Sequence, residues 1–230
     1  LCLFTGFQAA AQEESFHDGA PEVSPLLVRL EHYKPIYFII GNPDTKVQFS
    51  FKFKVLDQGN LYFGYSQLMM WDLTQRSAPI RDTDYNPDIF YRWVLDRQDK
   101  QSQTWLDFGF WEHESNGKDD MALGSRSWDR SYLRFRSVAH LGTGDSNATK
   151  VYWSIKAWVP YRMDSENRDI SKYRGLWELS VSVADLFSDQ LKPDDVTLRL
   201  YPGGRSSLDP TAGGEELMIL MRPYFRTFLR

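Results

Sequence analysis

At 230 residues the chain is long enough for one domain of moderate size or one mid-sized barrel. Its net charge of −4 leaves no basic excess, which argues against nucleic acid as a partner. Aromatic residues make up 15% of the chain, with 8 Trp and 12 Tyr. Trp and Tyr suit places where one end of the ring is apolar and the other wet, such as a membrane interface, although a large soluble β domain is compatible with the same figure.

The first eleven residues, Leu1-Cys2-Leu3-Phe4-Thr5-Gly6-Phe7-Gln8-Ala9-Ala10-Ala11, form an apolar run ending in small residues. They read as the end of a secretory signal cleaved after Ala11, the alternative being a short buried strand or helix. Cleavage there would remove Cys2, the only cysteine, and with it any disulfide or cysteine metal site. Residues 12–29 are mixed and acidic, with Pro21 and Pro25, and read as a flexible lead-in. No stretch of about 18 apolar residues occurs, so a transmembrane helix is not expected. An exported chain of this kind is either soluble outside the cytoplasm or spans a membrane as a closed barrel.

Residues 30–230 read as one all-β domain. Phe49-Ser50-Phe51-Lys52-Phe53-Lys54-Val55 puts three Phe and a Val on one face and Ser, Lys and Lys on the other. Val151–Ala157, Trp177–Val183 and the shorter Val196–Leu200 alternate in the same way. The period of two predicts strands with one apolar and one polar face. In a soluble sandwich the apolar face is the core, and in a membrane barrel it meets lipid. Alternation alone does not separate the two. Turn-rich segments lie between the strands at Asp57–Asn60, Gly142–Asn147 and Pro202–Ser206. No long helical pattern interrupts them.

Chemistry concentrates between residues 105 and 135. Leu106, Phe108 and Phe110 alternate and predict a strand leading into His113. If that strand stays extended, His113 and Ser115 share a face. A serine becomes a nucleophile when a neighbouring base takes its proton, and histidine is the usual base. Asn116-Gly117 starts a turn, and the stretch from Arg126 to Phe135 can return as the antiparallel neighbour. That return brings Asp129 to where a third group would orient the imidazole. On spacing alone a His and a Ser two residues apart also occur by chance in many strands. His17, His32 and His140 have no comparable setting and read as incidental.

The run His113-Glu114-Ser115-Asn116-Gly117-Lys118, followed by Ser125-Arg126-Ser127-Trp128-Asp129-Arg130-Ser131-Tyr132, resembles the signature of the outer membrane phospholipase A family. A second block is similar to the stretch ahead of that family's catalytic strand: Tyr65-Ser66-Gln67 with Trp71, then Ser77-Ala78-Pro79-Ile80-Arg81-Asp82-Thr83-Asp84-Tyr85-Asn86-Pro87-Asp88-Ile89-Phe90. Weaker likeness continues through Asp169–Tyr173 and Gly213–Leu217. The resemblance implies an antiparallel transmembrane β-barrel of 12 strands in the bacterial outer membrane. It further implies calcium-dependent hydrolysis of acyl ester bonds in phospholipids and lysophospholipids by a homodimer.

By the same resemblance Ser115 is the nucleophile, His113 the general base, and Asp129 the orienting group where the family usually has Asn. Calcium would draw on Ser125, the backbone carbonyl of Lys118 and Ser77 of the partner subunit. Asp119 and Asp120 lie in the same loop and read as solvated acids. Trp111 and Trp128 are expected near the active face, as interface anchors or packing residues. The family continues for about two strands past the position of Arg230, so the last strands are expected to be missing and the fragment alone to insert poorly. Two rival readings remain: a catalytically inactive barrel of the same family, and a soluble exported β-sandwich that binds lipid or carbohydrate.

Overall fold

The computed structural model describes residues 30–41, 44–56, 59–96, 102–118, 124–141, 149–162, 167, 169–184, 193–204 and 209–221. The expected signal remnant and lead-in, with Cys2 and His17, lie outside the described residues, as do Asp119, Asp120 and the turn at Gly142–Asn147. The strands are β1 (Glu31–His32), β2 (Tyr37–Ile39), β3 (Thr45–Lys54), β4 (Leu61–Trp71), β5 (Ile80–Asp96) and β6 (Ser102–Ser115). They continue as β7 (Ser127–Leu141), β8 (Thr149–Arg162), β9 (Trp177–Ala184), β10 (Pro193–Gly203) and β11 (Asp209–Met221). One short helix, α1 (Ile170–Arg174), lies between β8 and β9.

All eleven strands belong to one sheet, in the order β1-β3-β4-β5-β6-β7-β8-β9-β10-β11, with β2 paired to β3. Every pairing is antiparallel. From β3 onward each strand pairs with the next in the chain, an up-and-down meander that needs only short connections. The sheet curls. β7 stands four strands from β3, about 19 Å away along a flat sheet. Yet Arg134 of β7 donates to the hydroxyl of Tyr33, just after β1, at 3.3 Å. The segment around Tyr33 therefore lies across the concave face.

The polarity of the sheet is inverted relative to a soluble protein. Ser50 and Lys52 are buried on the concave side, while their neighbours Phe49, Phe51 and Phe53 face outward. The concave face is an ionic network. Glu112 Oε2 accepts from Arg130 Nε and Lys156 Nζ, both at 2.6 Å. Asp107 is contacted by Arg92 at 2.7 Å, Arg134 at 2.9 Å and Arg136 at 3.2 Å. Asp88 accepts from the hydroxyls of Tyr33 and Tyr132. Buried charges persist only when paired and hydrogen-bonded, and here each acid is met by cations or hydroxyls from neighbouring strands.

The convex face carries Leu133, Trp153, Ile155 and Val159, all substantially exposed, together with aromatic pairs such as Phe135–Trp153 and Phe53–Phe63. Glu178 points inward to Arg199, which leaves its neighbours Trp177 and Leu179 on the outside. Polar inside and apolar outside is the arrangement of a membrane barrel. It excludes the two-sheet sandwich, whose buried face would be the apolar one.

One expectation needs correcting, and Trp128 resolves to the packing alternative: it is only 2% exposed, lies inside with its ring edge-on to Trp158, carries the Arg130 guanidinium over its face, and borders the cavity behind Ser115. Pro202 and Gly203 are not a turn but the end of β10, where a register shift between Tyr201 and Gly203 accommodates a proline that cannot donate to the ladder. The turn begins at Gly204, whose φ is 73°. Helix α1, Ile170–Arg174, overlaps the Asp169–Tyr173 stretch and is compatible with the expectation that no long helix interrupts the strands. At five residues it is too short for a periodic signal and is held from outside, by Gly204 N–H donating to Lys172 O at 2.8 Å.

Candidate active site

The site begins with an irregularity in β6. Asp107 and Gly109 face the interior, so strict alternation would turn Trp111, His113 and Ser115 inward as well. The pairing to β7 instead passes from Gly109↔Tyr132 to Glu112↔Arg130, leaving Phe110 and Trp111 opposite Ser131 alone. This is a β-bulge, and one extra residue reverses the faces of everything beyond it. Glu112 and Glu114 then point into the ionic interior. Trp111, His113 and Ser115 point out. Gly109 is needed just before the bulge because the Tyr132 ring lies over its backbone: a Cβ there would sit 2.1 Å from a ring carbon.

His113 stands directly opposite Asp129 in the ladder, and its Nδ1 lies 2.7 Å from Asp129 Oδ1. A carboxylate can only accept, so the imidazole donates from Nδ1 and its Nε2 is left as the acceptor. The same Oδ1 accepts from Trp111 Nε1 at 3.1 Å. The Trp111 ring lies nearly parallel to the imidazole, with centroids 6.0 Å apart and planes 21° from each other. Arg162 at the end of β8 brings Nη1 to 3.8 Å from Asp129 Oδ2. The Asp129 side chain is 9% exposed and that of His113 is 31% exposed, so the pair is sheltered but reachable.

The backbone of His113 is secured separately. β5 and β6 pair at Tyr85↔Ser115 and at Asp88↔Glu112, and Pro87, which has no N–H to give to a ladder, lies between those two positions. Asn86 fills the gap: its Nδ2 donates to His113 O at 2.8 Å, while Lys34 Nζ holds Asn86 Oδ1 at 2.5 Å. Ser115 is the last residue of β6, on the same face as His113 and opposite Ser127. No hydrogen bond joins its hydroxyl to the imidazole among the described residues. Between the two, Glu114 points the other way and is gripped by Arg130 at 2.8 Å and by Arg174 of α1. A cavity of about 340 Å³ opens behind the strand end, bordered by Ser115, Asn116, Asp84, Trp128 and Arg174.

The loop after β6 is organised by Asn116. Its side chain accepts from Arg126 N–H at 3.0 Å and donates to Gly124 O at 2.7 Å. Gly117 has φ of 67° and lies against Tyr85, a position that excludes a side chain. The loop brings the Ser125 hydroxyl to 3.2 Å from the carbonyl of Lys118. Two hard oxygens therefore converge beside the end of the Ser115 strand, the donor type that calcium prefers. Among the described residues no group of three or more His, Cys, Asp or Glu could hold a metal. Ser77 lies in the β4–β5 turn, and among the described residues no hydrogen bond links it to either of those oxygens.

His113, Ser115 and Asp129 are thus gathered on one patch, and Lys118 and Ser125 on the loop beside it. Asn86 and Arg162 had no specific role in the sequence, and Trp111 was expected near the active face only as an interface anchor or packing residue. Two signals for them were present: consecutive aromatics at Phe110-Trp111 within an alternating strand mark a bulge, and a proline inside a central strand demands a substitute donor.

A curled antiparallel sheet with an ionic interior and an apolar exterior defines a membrane-type β-barrel fold, here with a histidine–acid pair beside a serine on its outer face. Residues 28–191 match the family model for phospholipase A1. The chain belongs to the phospholipase A1 family. Phospholipase A1 of Klebsiella pneumoniae is 32% identical over 133 residues, 54% of this chain and 41% of that protein. The putative phospholipase A1 of Neisseria meningitidis serogroup B is 31% identical over 148 residues, 60% of this chain and 37% of that protein. Among solved structures, outer membrane phospholipase A from Escherichia coli superposes with a TM-score of 0.52 at 25% identity, covering 69% of this chain and 60% of that one. The calcium-bound dimer of the Salmonella typhi outer membrane phospholipase gives the same TM-score at 26% identity, covering 69% and 59%. The chain spans about two fifths of the length of the curated relatives it matches.

Proposed function

We propose that this chain carries the active site of a bacterial outer-membrane phospholipase, a calcium-dependent serine hydrolase that cleaves acyl esters of phospholipids and lysophospholipids and works as a homodimer. The observation that carries the reading is the 2.7 Å bond between His113 and Asp129, with Ser115 two residues further along the same outward face. An outward-facing site on an apolar wall meets lipid from the side, so the ester can reach the serine without leaving the membrane.

In this reading Asp129 keeps the proton on His113 Nδ1, which leaves Nε2 free as a base. Ser115 Oγ attacks the ester carbonyl carbon while its proton passes to Nε2. The carbon–oxygen bond to the glycerol breaks, and the departing alkoxide takes that proton. Water then attacks the acyl-serine, giving its proton to Nε2, and the fatty acid leaves as Ser115 is restored. Ser125 Oγ and the Lys118 carbonyl would hold the calcium ion, with Ser77 of the partner subunit. When bound, the ion would supply positive charge beside the developing oxyanion. Support for calcium and for two copies comes from the relative solved as a calcium-bound dimer.

The test is fatty-acid release from phospholipid in mixed micelles, with calcium and with a chelator, by the protein and by Ser115→Ala. Release that requires calcium and disappears in the variant is the expected result. No release from folded, dimeric protein would favour an inactive barrel instead.

A further inference from the structure

We propose that Trp111 is a positioning residue of this site, acting through its indole N–H on Asp129 rather than as an interface anchor. The inference rests on the reading of His113, Ser115 and Asp129 as the reacting set. Its basis is the bulge. The extra residue in β6 turns Trp111 to the outer face, next to the histidine it precedes by two positions. There its N–H reaches Asp129 Oδ1 at 3.1 Å, the same oxygen that accepts from His113 at 2.7 Å.

Two donors on one carboxylate oxygen fix the rotation of the carboxylate about its last bond. With Oδ1 held by the indole, Asp129 cannot turn that oxygen away when the imidazole moves during proton transfer. The second oxygen lies toward Arg162 at 3.8 Å. This also accounts for aspartate at position 129. An asparagine could still accept both N–H groups on its single oxygen, but its amide would then face the Arg162 guanidinium, donor against donor. The ring adds a second constraint, since it lies along the imidazole face and limits its swing. Sheltering the carboxylate strengthens both bonds, because a desolvated carboxylate depends on its donors.

The decisive variant is Trp111→Phe, which keeps a ring against the imidazole and removes the N–H. The expected result is a fall in kcat of about tenfold with KM within about twofold, the scale of one lost charge-assisted bond. The same change in an Asp129→Ala background should then cost nothing further. Equal losses in both backgrounds, or a loss confined to KM, would overturn the proposal. Melting temperatures of all four proteins separate misfolding from mispositioning. An independent arm uses the protein labelled with ¹⁵N-indole in micelles. The Trp111 N–H proton should resonate downfield and move upfield in Asp129→Ala, and an unmoved resonance overturns the bond itself. If the protein shows no Ser115-dependent hydrolysis, the functional reading falls, while the resonance still reports on the Trp111–Asp129 bond.

Discussion

His113 Nδ1 and Asp129 Oδ1 meet at 2.7 Å across a register pair of adjacent strands, so their distance is set by the ladder itself. A pair held in this way does not depend on loop closure. Only a change of register, or of the side chains, can separate it.

Substitution at Asp129 should therefore grade with acceptor capacity. Asp129→Asn retains an oxygen for His113 and should stay within about tenfold of the parent kcat. Asp129→Ala removes the acceptor and should lose about a hundredfold or more, the range of general-base contributions. Steady-state hydrolysis of a short-chain phospholipid measures both. Equal losses would mean that the carboxylate's charge, and not its acceptor geometry, matters.

The Asn86–Pro87 pair predicts a coupling in stability. Asn86→Ala leaves the His113 carbonyl without its donor and should cost about 1–3 kcal/mol. In a Pro87→Ala background a main-chain N–H is restored in the ladder stretch between Tyr85 and Asp88, and the same substitution should cost much less. Denaturant unfolding of the four proteins in micelles gives the coupling energy directly. An additive result would show that Asn86 supports something other than the His113 carbonyl.

Removing the Ser125 hydroxyl should be read out in calcium. Ser125→Ala is expected to raise the calcium concentration for half-maximal hydrolysis by at least the roughly tenfold that follows loss of a supporting metal-site group. Saturating calcium should recover most of kcat. An unchanged calcium curve would move the ion away from the Lys118–Ser125 loop.

The outer face predicts an asymmetry between neighbours. Ile155 faces outward and is 45% exposed, while Lys156 beside it is buried against Glu112. Ile155→Arg should destabilise the folded protein in a bilayer by about 2–4 kcal/mol if it lies near the midplane. In a soluble protein an exposed site like this would tolerate arginine within about 0.5 kcal/mol. Reversible unfolding from lipid vesicles distinguishes the two.

Much of this was readable in the residues. The alternation in Phe49–Val55, Val151–Ala157 and Trp177–Val183 predicts strands that the structure contains, because one apolar and one polar face is a periodic signal. Which face is buried is not periodic information. It emerges from Lys52, Asp107, Glu112 and Lys156, all of which are buried on the concave side. The bulge left a single mark, the two adjacent aromatics Phe110 and Trp111, since a local insertion keeps the pattern on either side intact and only reverses its sense. His113 and Ser115 could be placed on one face from spacing, but which face required the bulge. Asp129 was reachable only as one option, because the stretch from Arg126 can return antiparallel to β6; its place opposite His113 depends on the length of the loop from Asn116 to Arg126, which alternation does not fix. Asn86 was not, because its role depends on a missing donor in the adjacent strand.

The ionic interior has a consequence for how the sheet is made. Asp107 finds its cations on β5 and β7, and Glu112 finds its principal ones on β7 and β8. Four consecutive strands thus cancel most of one another's charge. A single hairpin of that set entering a bilayer would carry uncompensated charge, whereas the four together present only their apolar side. The pairing therefore favours β5 to β8 entering a bilayer together over entering one hairpin at a time.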